Sequence, residues 1–277
     1  MPQNKIIVSQ LFLHPIKSCH YLSVDELKIT SSGPEFDRYW MLVDENDQFL
    51  TQRDYPRMAL ITPVIGKEFL SVRAPEMNTL RIPLVQNEDK RMKVTIWGDT
   101  CQAVDNGDEI ANWFSTFLGT QCRLVHLAHD FKRTLDPKYA GNSASHTRFS
   151  DGYPELILSE NSMNMLNSKM ETPLLITRFR PNIVVQGCEA FAEDTWRGIQ
   201  IGNVQFDIVK SCVRCVITTT DQETAERSSK EPLKSLATFR NTAKGVIFGQ
   251  NMIHRSTGTI HVGDEVTVLE TGEGAIL

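Results

Sequence analysis

Short apolar segments, each followed by turn-forming residues, recur along the first hundred positions. This alternation is the feature that most limits the possible fold. Strand composition is clearest at residues 6–13, 39–43 and 93–97, which are rich in β-branched and aromatic side chains. Many short strands at such spacing predict an antiparallel barrel or a curled sheet, and hence a β-rich chain, mainly β with a few short helices. Further strands are predicted at residues 22–29, 48–51, 59–64, 69–72, 80–84, 122–127, 183–185, 198–201, 204–209, 213–220, 259–262 and 265–269.

Two segments have helical character. Apolar side chains recur at three- and four-residue intervals between residues 107 and 118, which predicts a helix there. Asp105 and Asp108 are its expected N-caps, and Gly119 is its expected C-terminal stop. A second, shorter helix is predicted at residues 159–166.

A polar stretch at residues 128–151 has no clear period. It contains Gly141, Asn142, Ser143 and Ser145, and it is long for a loop in a compact domain. We therefore expect it to be either a functional lid or a mobile segment.

The charge balance excludes some classes of partner. The chain has 29 Lys plus Arg against 34 Asp plus Glu, a net charge of −5. Binding to a nucleic-acid polymer relies on clustered Lys and Arg, so any basic site here must be local. The sequence also shows neither a secretory signal nor the roughly 18 consecutive apolar residues of a membrane helix. We expect a soluble, cytoplasmic protein that binds no nucleic-acid polymer and no membrane.

A Cys-x-x-Cys pair, Cys212 and Cys215, is the motif that most strongly suggests a chemical role. Six cysteines at this chain length are too few for a disulfide scaffold, so reduced thiols are expected. A structural zinc site needs about four ligands, and no second pair stands at similar spacing. Thioredoxin-type chemistry needs the pair at a helix N-terminus, whereas residues 213–220 have strand composition.

Two interpretations of this pair stay open on the residues alone. In one, a single cysteine acts as a soft thiolate ligand or nucleophile, with Lys210 and Arg214 available to favour its anionic form. In the other, both cysteines are small buried hydrophobic residues, as free cysteines often are. Spacing and composition do not decide between them.

A second constellation combines Arg178 and Arg180 on one face of a predicted extended segment. Pro181 fixes the backbone there, and Asn182 offers both a donor and an acceptor. This arrangement suits a phosphate or a polar heterocycle, although a solvated strand face with two charges is the commoner explanation. Glycine-rich phosphate loops, Gly-x-Ser-x-Gly elbows and His-Glu-x-x-His motifs are absent from the sequence. Nucleotide-binding, serine hydrolase and zinc protease functions are therefore without support.

Seven segments, taken together and in order, resemble one family. They are HPIKSC (14–19), FDRYWMLV (36–43), TRFRPNIV (177–184), AEDTW (192–196), CVRC (212–215), SKEPL (229–233) and FGQ (248–250). This ordered set is similar to the MOSC-domain family, named after the C-terminal part of molybdenum cofactor sulfurases. Within it, the chain most resembles the branch of the mitochondrial amidoxime reducing components and their bacterial YcbX-like relatives.

The resemblance implies an N-terminal β-barrel-like domain at residues 1–120, packed on a MOSC β-barrel at residues 121–272. A molybdenum cofactor, with its molybdopterin, would lie between them. The second cysteine of the pair, Cys215, would supply a thiolate ligand to molybdenum, and Arg214 would lie beside the metal as a second catalytic residue. Molybdenum bound to sulfur ligands readily takes another soft sulfur donor.

Further residues from distant segments are implied as cofactor contacts. At the phosphate or pterin end they are Lys17, Ser18 and Arg38, and around the pterin they are Asp151, Arg178, Arg180 and Asn182. A local basic pocket of this kind is compatible with an acidic protein.

The activity implied by the resemblance is a molybdenum-dependent reduction of N-hydroxylated small molecules, namely hydroxylamines, amidoximes and N-hydroxylated bases. Residues 128–151 would border the substrate opening. No cysteine follows Cys215, so an iron–sulfur cluster of the 2Fe-2S type is not expected in this chain. Electrons would come from a separate electron-transfer protein of the ferredoxin, flavoprotein or haem type.

Two alternative functions remain. The first is a carrier of the molybdenum cofactor, or a MOSC protein related to its sulfuration, without redox turnover of its own. Pyridoxal phosphate is not expected in that case, because the chain has no aminotransferase-like domain. The second is a β-rich interaction protein whose cysteines belong to the core.

Overall fold

The computed structural model describes residues 5–85, 88–141 and 145–277. Its strands are β1 (Ile7–Leu13), β2 (Leu22–Val24), β3 (Glu26–Thr30), β4 (Gly33–Pro34), β5 (Trp40–Val43), β6 (Thr62–Ile65), β7 (Phe69–Arg73), β8 (Leu80–Pro83), β9 (Arg91–Ile96), β10 (Asp99–Asp105), β11 (Arg123–Leu127), β12 (Arg133–Thr134), β13 (His146–Thr147), β14 (Glu155–Ser159), β15 (Ile183–Gln186), β16 (Trp196–Ile201), β17 (Val204–Val213), β18 (Asn241–Thr242), β19 (Gly245–His254), β20 (Gly258–His261) and β21 (Val266–Thr271). Its α-helices are α1 (Asp108–Leu118), α2 (Pro137–Ala140), α3 (Glu160–Asn167) and α4 (Leu233–Ala237). The prediction of a β-rich chain with a few short helices is confirmed.

The largest sheet has nine strands. Its hydrogen-bonded order is β2-β1-β15-β14-β19-β17-β16-β21, with β18 on β19, so the paired strands form an open path in the described part of the chain. Backbone hydrogen bonds also link the start of β1 to β21 and the turn before it, from Val266 N to Ile6 O at 2.8 Å and from Val8 N to Asp264 O at 2.9 Å. The curled sheet thus encloses an apolar interior, in which side chains such as Ile199 and Phe206 are buried.

The N-terminal unit consists of β5 to β11 and α1. A four-stranded sheet, β5-β11-β10-β9, and a three-stranded sheet, β6-β7-β8, form its framework. Helix α1 packs Phe114 and Phe117 into the core that also contains Trp40. Burial of these three aromatic side chains adds to the hydrophobic stabilisation of this unit.

The first three strands belong to the C-terminal part of the fold rather than to the N-terminal unit. Strand β1 pairs with β15, and β3 pairs with β20. Their apolar side chains Val8, Leu27 and Ile29 lie in the same core cluster as the residues of β16 and β17. The chain therefore crosses from one part of the molecule to the other between β4 and β5.

Both predicted helices are present, but the caps of the first differ from expectation. Gly107 is the N-cap of α1 and there is no side-chain cap, so the prediction of Asp105 or Asp108 was wrong. Asp105 instead accepts from Gly107 N and from Arg123. Gly119 adopts a left-handed conformation at the C-terminal end, as predicted.

The segment after the cysteine pair is a 3-10 turn, Val216–Thr219, and not the predicted strand. Its β-branched composition indicated a strand, yet two threonine hydroxyls stabilise the turn locally. Thr218 Oγ1 donates to Cys215 O at 2.9 Å, and Thr219 Oγ1 donates to Val216 O at 2.8 Å. Such bonds to carbonyls three residues earlier let threonine leave the extended conformation.

The segment bearing the two arginines is also not extended. Residues Ile176–Phe179 form a 3-10 turn, and Arg180 then adopts a left-handed conformation with φ +55°. Phe179 is buried and packs against Phe248, with ring centroids 4.5 Å apart. An extended segment would place Phe179 and the two arginines on opposite faces, whereas in the turn all three line one cavity.

Two further parts of the chain differ from expectation. Residues 48–51 make isolated bridges, such as Val43 to Phe49, rather than a strand. The polar stretch 128–151 contains β12, α2 and β13, while the predicted loop residues 142–144 lie outside the described residues. Among the described residues no helix combines the length and apolar character that a membrane span requires.

Candidate functional site

A cavity of about 130 Å³ lies where the N-terminal unit meets the large sheet. We call it the central cavity. All the residues that the resemblance marked as site residues line it, whereas Lys210, the cation that the sequence offered beside the cysteine pair, lies over the Tyr139 ring instead. The residues marked by the resemblance are Lys17, Ser18, Arg38, Asp151, Arg178, Arg180, Asn182, Arg214 and Cys215. The fold therefore brings together side chains that are up to about 200 positions apart in the sequence.

Cys215 is placed by the end of β17, a ten-residue strand of the large sheet. Strand β17 ends at Val213, and Cys215 is the N-terminal cap of the 3-10 turn that follows. The backbone N–H of Arg214 donates to Val246 O of β19 at 2.8 Å, which ties this loop to the large sheet. Cys215 is half-buried and its thiol is free, so its sulfur is open to a ligand from the cavity.

The other cysteines divide into two kinds. Cys212 is half-buried like Cys215, whereas the remaining thiols are free and buried. Burial raises the pKa of Cys101 and of Cys188 to about 11 in each case. Burial likewise raises the pKa of Cys19 and of Cys122, so these thiols stay protonated and act as small apolar side chains.

The Arg214 guanidinium bonds to Cys212 and to Phe179. Its Nη1 donates to Cys212 Sγ at 2.7 Å, and its Nη2 donates to Phe179 O. The group also lies over the Phe179 ring, 5.2 Å from the ring centroid. Arg214 therefore lines the cavity through contacts to its neighbouring cysteine rather than to the predicted metal ligand.

Arg53 is the arginine that contacts Cys215, and no sequence motif marked it. Its Nη2 donates to Cys215 Sγ at 3.4 Å. The guanidinium lies over the Trp97 ring, 4.7 Å from the centroid. A single arginine in a polar turn has neither periodicity nor spacing to distinguish it, so only the tertiary fold identifies this residue.

Lys17 and Asp151 form an ion pair at one wall of the cavity. The buried Lys17 ammonium donates to Asp151 Oδ1 and, at 3.0 Å, to Phe149 O. Burial lowers the pKa of Lys17, and the charge of Asp151 partly opposes this effect. Partial desolvation by itself raises the pKa of Asp151, but the adjacent Lys17 ammonium outweighs it and holds that pKa well below its usual range. Trp97 Nε1 donates to the same carboxylate oxygen at 3.2 Å.

Arg38 is held between the two parts of the fold. It has φ +43°, a left-handed conformation that is rare for a non-glycine residue. Its guanidinium donates to Asp37 Oδ2 at 2.5 Å and to Asn182 Oδ1 at 3.1 Å, and it also contacts Arg180 O at 3.3 Å. Asn182 Nδ2 in turn donates to Phe12 O at 3.2 Å. These bonds fix both the strained backbone and the side chain at the cavity wall.

Arg178 and Arg180 have different partners. Arg178 pairs with Asp221, with 2.6 Å between Nη2 and Oδ2, and donates to Thr219 O at 3.2 Å. Arg180 Nη1 donates to a carbonyl oxygen, that of Cys19, at 2.8 Å. Burial lowers the pKa of Arg180 to about 10, with a further contribution from the Arg38 charge.

Ser18 completes the predicted set. It is buried and has a left-handed conformation with φ +64°. Its carbonyl oxygen accepts from Gln52 Nε2 at 2.8 Å, and the Gln52 amide also bonds to Gln222 at 3.1 Å. These two glutamines, unmarked by any sequence motif, connect the Ser18 turn to the segment that follows Cys215.

Buried donors at the cavity lack partners. Among the residues that the structure describes, Arg180 Nη2 and Arg214 Nε are buried without a hydrogen-bond partner. Such groups are rare because an unpaired buried donor costs about 1–3 kcal/mol or more. Two guanidinium groups with spare donors suit an anionic or polar ligand in the cavity.

A zinc site at the cysteine pair has no support in the described part of the chain. There, the grouped potential metal ligands are Glu88, His129 and Asp130, whose ligand atoms lie within 4.8 Å of one another. None of these residues lines the central cavity.

Comparison with known protein families identifies two regions of the chain. Residues 5–121 match the MOSC N-terminal beta barrel domain, and residues 144–267 match the MOSC domain. The boundary drawn from the sequence at residue 120, and the end of the second domain at residue 272, stay predictions.

The chain is also similar to named proteins over nearly all of its length. It is 36% identical over 278 residues to mitochondrial amidoxime-reducing component 1 of Mus musculus, covering 95% of this chain and 82% of that protein. It is 35% identical over 282 residues to mitochondrial amidoxime-reducing component 1 of Homo sapiens, with the same coverage of 95% and 82%. Among solved structures, the YUAD protein of Bacillus subtilis matches 95% of this chain and 94% of its own at 12% identity, with a TM-score of 0.45.

Proposed function

The chain belongs to the MOSC family that includes the mitochondrial amidoxime-reducing components, and on that premise we propose that it reduces N-hydroxylated compounds with a molybdenum cofactor bound in the central cavity. The observation that carries the proposal is the convergence of a half-buried free thiol with cations from separate segments. The cations are Lys17, Arg38, Arg178 and Arg180, and the thiol is that of Cys215.

The residues at the cavity fit such a cofactor chemically. A molybdopterin carries an anionic phosphate at one end and a soft metal centre at the other. Arg180 Nη2 and Arg214 Nε are buried donors without partners among the described residues, which suits the anionic and polar atoms of the group. Cys215 offers a soft sulfur, which is a suitable ligand for molybdenum.

We assign the holding of the cofactor to this chain's residues as follows. Lys17, Ser18 and Arg38 would bind the phosphate or pterin end, because a hydroxyl and two cations suit a phosphate. Around the pterin, the residues would be Asp151, Arg178, Arg180 and Asn182. Cys215 would ligate the metal.

The reaction needs two electrons and two protons for each N–O bond that is broken. An N-hydroxylated compound, R–NH–OH, then yields R–NH₂ and water, so the atoms and charges balance. When bound, the cofactor supplies the two-electron chemistry that removes oxygen from nitrogen. Cys215 anchors the metal centre, and the surrounding cations neutralise the charge of the bound group in a site partly shielded from water.

The substrate and the electron source follow from the same proposal. The relatives are named for amidoxime reduction, and we extend this to hydroxylamines and N-hydroxylated bases as small-molecule substrates. A separate electron-transfer protein of the ferredoxin, flavoprotein or haem type would supply the electrons. The cytoplasmic location also stays a prediction.

Metal analysis combined with an activity assay tests the proposal. Protein purified from molybdenum-supplied cells is expected to contain molybdenum and a pterin. It is further expected to reduce an amidoxime under anaerobic conditions with reduced viologen as the electron donor. Bound molybdenum without turnover would favour the cofactor carrier instead. Absence of molybdenum from wild-type protein, produced beside a known molybdenum enzyme that is loaded in the same cells, would contradict both functions.

A further inference from the structure

Arg53 contacts the sulfur of Cys215 from the opposite domain. Its Nη2 lies 3.4 Å from Cys215 Sγ, with the guanidinium donating, and the two residues are 162 positions apart. Arg53 lies within the region that matches the MOSC N-terminal beta barrel domain, and Cys215 lies within the region that matches the MOSC domain. The hydrogen bond therefore joins the two domains at the sulfur atom itself.

The Arg53 side chain and backbone are both held in place. The guanidinium lies over the Trp97 ring at 4.7 Å, and Trp97 Nε1 is itself fixed by its 3.2 Å bond to Asp151. The Arg53 carbonyl accepts from Arg227 Nη1 at 2.9 Å, and its N–H donates to Thr51 Oγ1 at 3.0 Å. Stacking of a planar guanidinium on an indole restricts its orientation, so the donor is already aimed at the sulfur.

Arg53 forms no direct ion pair. Among the ion pairs between described residues, Arg38 pairs with Asp37 and Arg178 pairs with Asp221, but none includes Arg53. The Asp151 carboxylate is its acidic neighbour, and the Arg53 charge contributes to lowering the pKa of that group. The cation nevertheless makes its hydrogen bond to the sulfur and not to a carboxylate. Within a partly enclosed cavity the effect of its charge on the sulfur is larger than it would be in water.

We propose that Arg53 is a positioning residue for Cys215 and raises the reduction potential of the metal that this cysteine binds. The inference rests on the proposed function, since it takes Cys215 as the metal ligand. A hydrogen bond from a cation to a ligand sulfur withdraws electron density from that sulfur and weakens its donation to the metal. The lower oxidation state is thereby stabilised, as is general for sulfur-ligated metals.

The neighbouring arginine does not duplicate this contact. Arg214 Nη1 donates to Cys212 Sγ at 2.7 Å, and its Nη2 donates to Phe179 O. Removal of Arg53 thus takes away the one guanidinium that bonds to Cys215 Sγ within the described chain. Its replacement also removes the stacking on Trp97, so the potential of the metal, and not activity alone, is the quantity to measure.

A redox titration of the cofactor-loaded protein tests this inference, with the electron paramagnetic resonance of molybdenum as the readout. At the wild-type midpoint potential, we expect Arg53→Met to lower the ratio of reduced to oxidised metal about tenfold. This change corresponds to a midpoint potential that is lower by about 59 mV for a one-electron step. Arg57→Met is the matched control. Arg57 is four residues away, is exposed and stacks on Phe117, so its replacement is expected to leave the potential unchanged.

The outcomes separate this inference from the proposed function. A loaded Arg53→Met protein with the wild-type potential overturns the role of Arg53, while the function stands if Cys215→Ser changes the resonance signal. A wild-type protein without molybdenum, or a Cys215→Ser protein with an unchanged signal, overturns the ligand assignment and this inference with it. If Arg53→Met takes up no cofactor, Arg53→Lys is measured and is expected to show a smaller shift in the same direction. Loss of molybdenum from both variants at an unchanged melting temperature would assign Arg53 to cofactor retention and overturn the tuning role.

Discussion

The cations of the central cavity form two groups that differ in what faces them. The paired cations each contact a carboxylate, and they are Lys17, Arg38 and Arg178. The unpaired cations donate to carbonyl oxygens or sulfur and have no ion pair among the described residues, and they are Arg53, Arg180 and Arg214. Both groups line one cavity, so the contrast concerns charge balance and not location.

This difference indicates that the two groups of cations have different roles in the cavity. A cation that already has a carboxylate partner adds less net charge to the cavity, and its bonds also fix the surrounding loops. A cation without one retains its charge for a ligand. Burial lowers the pKa of Arg180 to about 10, and a bound anion would counteract this effect by favouring the charged form. The unpaired cations are thus the more informative ones to change.

The largest loss of activity is expected when Cys215, the residue that the unpaired Arg53 contacts, is replaced. Cys215→Ser replaces a soft sulfur with a hard oxygen, and we expect amidoxime reduction to fall at least about 100-fold, because even outer partners of metal ligands contribute 10–100-fold. Cys188→Ala is the control, since Cys188 is buried in the core outside the cavity. Steady-state rates with reduced viologen measure the change. A Cys215→Ser protein that kept full activity with bound cofactor would contradict the mechanism.

The next largest effect is on cofactor retention, and it distinguishes the paired from the unpaired cations directly. Arg180→Met removes an unpaired, buried cation, so we expect cofactor to be lost about tenfold faster, equivalent to about 1.4 kcal/mol. Arg178→Met removes a paired cation and is expected to have a smaller effect. Molybdenum that remains bound after timed dilution and gel filtration measures both. Equal losses from the two variants would show that carboxylate pairing does not determine how strongly a cation holds the cofactor.

The fold was predictable where the signal was local. Apolar alternation and turn residues gave most strands, and helix α1 followed from its apolar spacing. The pairing of β1 with β15 was not predictable, because no local pattern encodes a contact between residues such as Ile7 and Gln186. The turn after Cys215 was predicted as a strand, since composition does not show that the Thr218 hydroxyl bonds to a carbonyl three positions earlier.

The site was predictable where a motif matched a family. Cys215 and the arginines of the TRFRPNIV segment stood in such motifs, and all three line the central cavity. Arg53 and Gln52 stood in none, and their relation to the cavity depends on tertiary contacts to Cys215 Sγ and Ser18 O. Contacts of this kind, between two domains, cannot be recognised from a single sequence.

For the paired cation Lys17, we predict a pH-dependent change of moderate size in the free energy of unfolding. Asp151→Asn removes the carboxylate that balances a buried ammonium, and we expect a loss of about 1 kcal/mol in the free energy of unfolding at pH 7, since Asp151 itself is largely exposed. The Asp151 pKa is lower in the folded protein, so its contribution is present above the ordinary value of 3.8 and disappears as the pH falls below it.

Urea unfolding of the wild-type and Asp151→Asn proteins at pH 7, 5 and 3 measures this difference. The gap between the two proteins is expected to be constant from pH 7 to 5 and to narrow by pH 3. A gap that was equal at all three values would mean that the carboxylate charge is not what stabilises Lys17.

The smallest effect is expected when a paired cation is converted to an unpaired one. Asp221→Asn removes the charge that balances Arg178, while the bond from Arg178 Nη1 to Thr219 O keeps the guanidinium at the cavity. The Asn side-chain oxygen can still accept from the backbone N–H groups of Glu223 and Thr224, as Asp221 Oδ1 does, so the loop should keep its shape. We expect cofactor to be retained up to about threefold longer in the same dilution assay, because a charge formerly balanced within the protein now acts on the bound anion. Faster loss of cofactor would show that Asp221 serves the site by orienting Arg178, and that the paired cations bind the cofactor through geometry rather than charge.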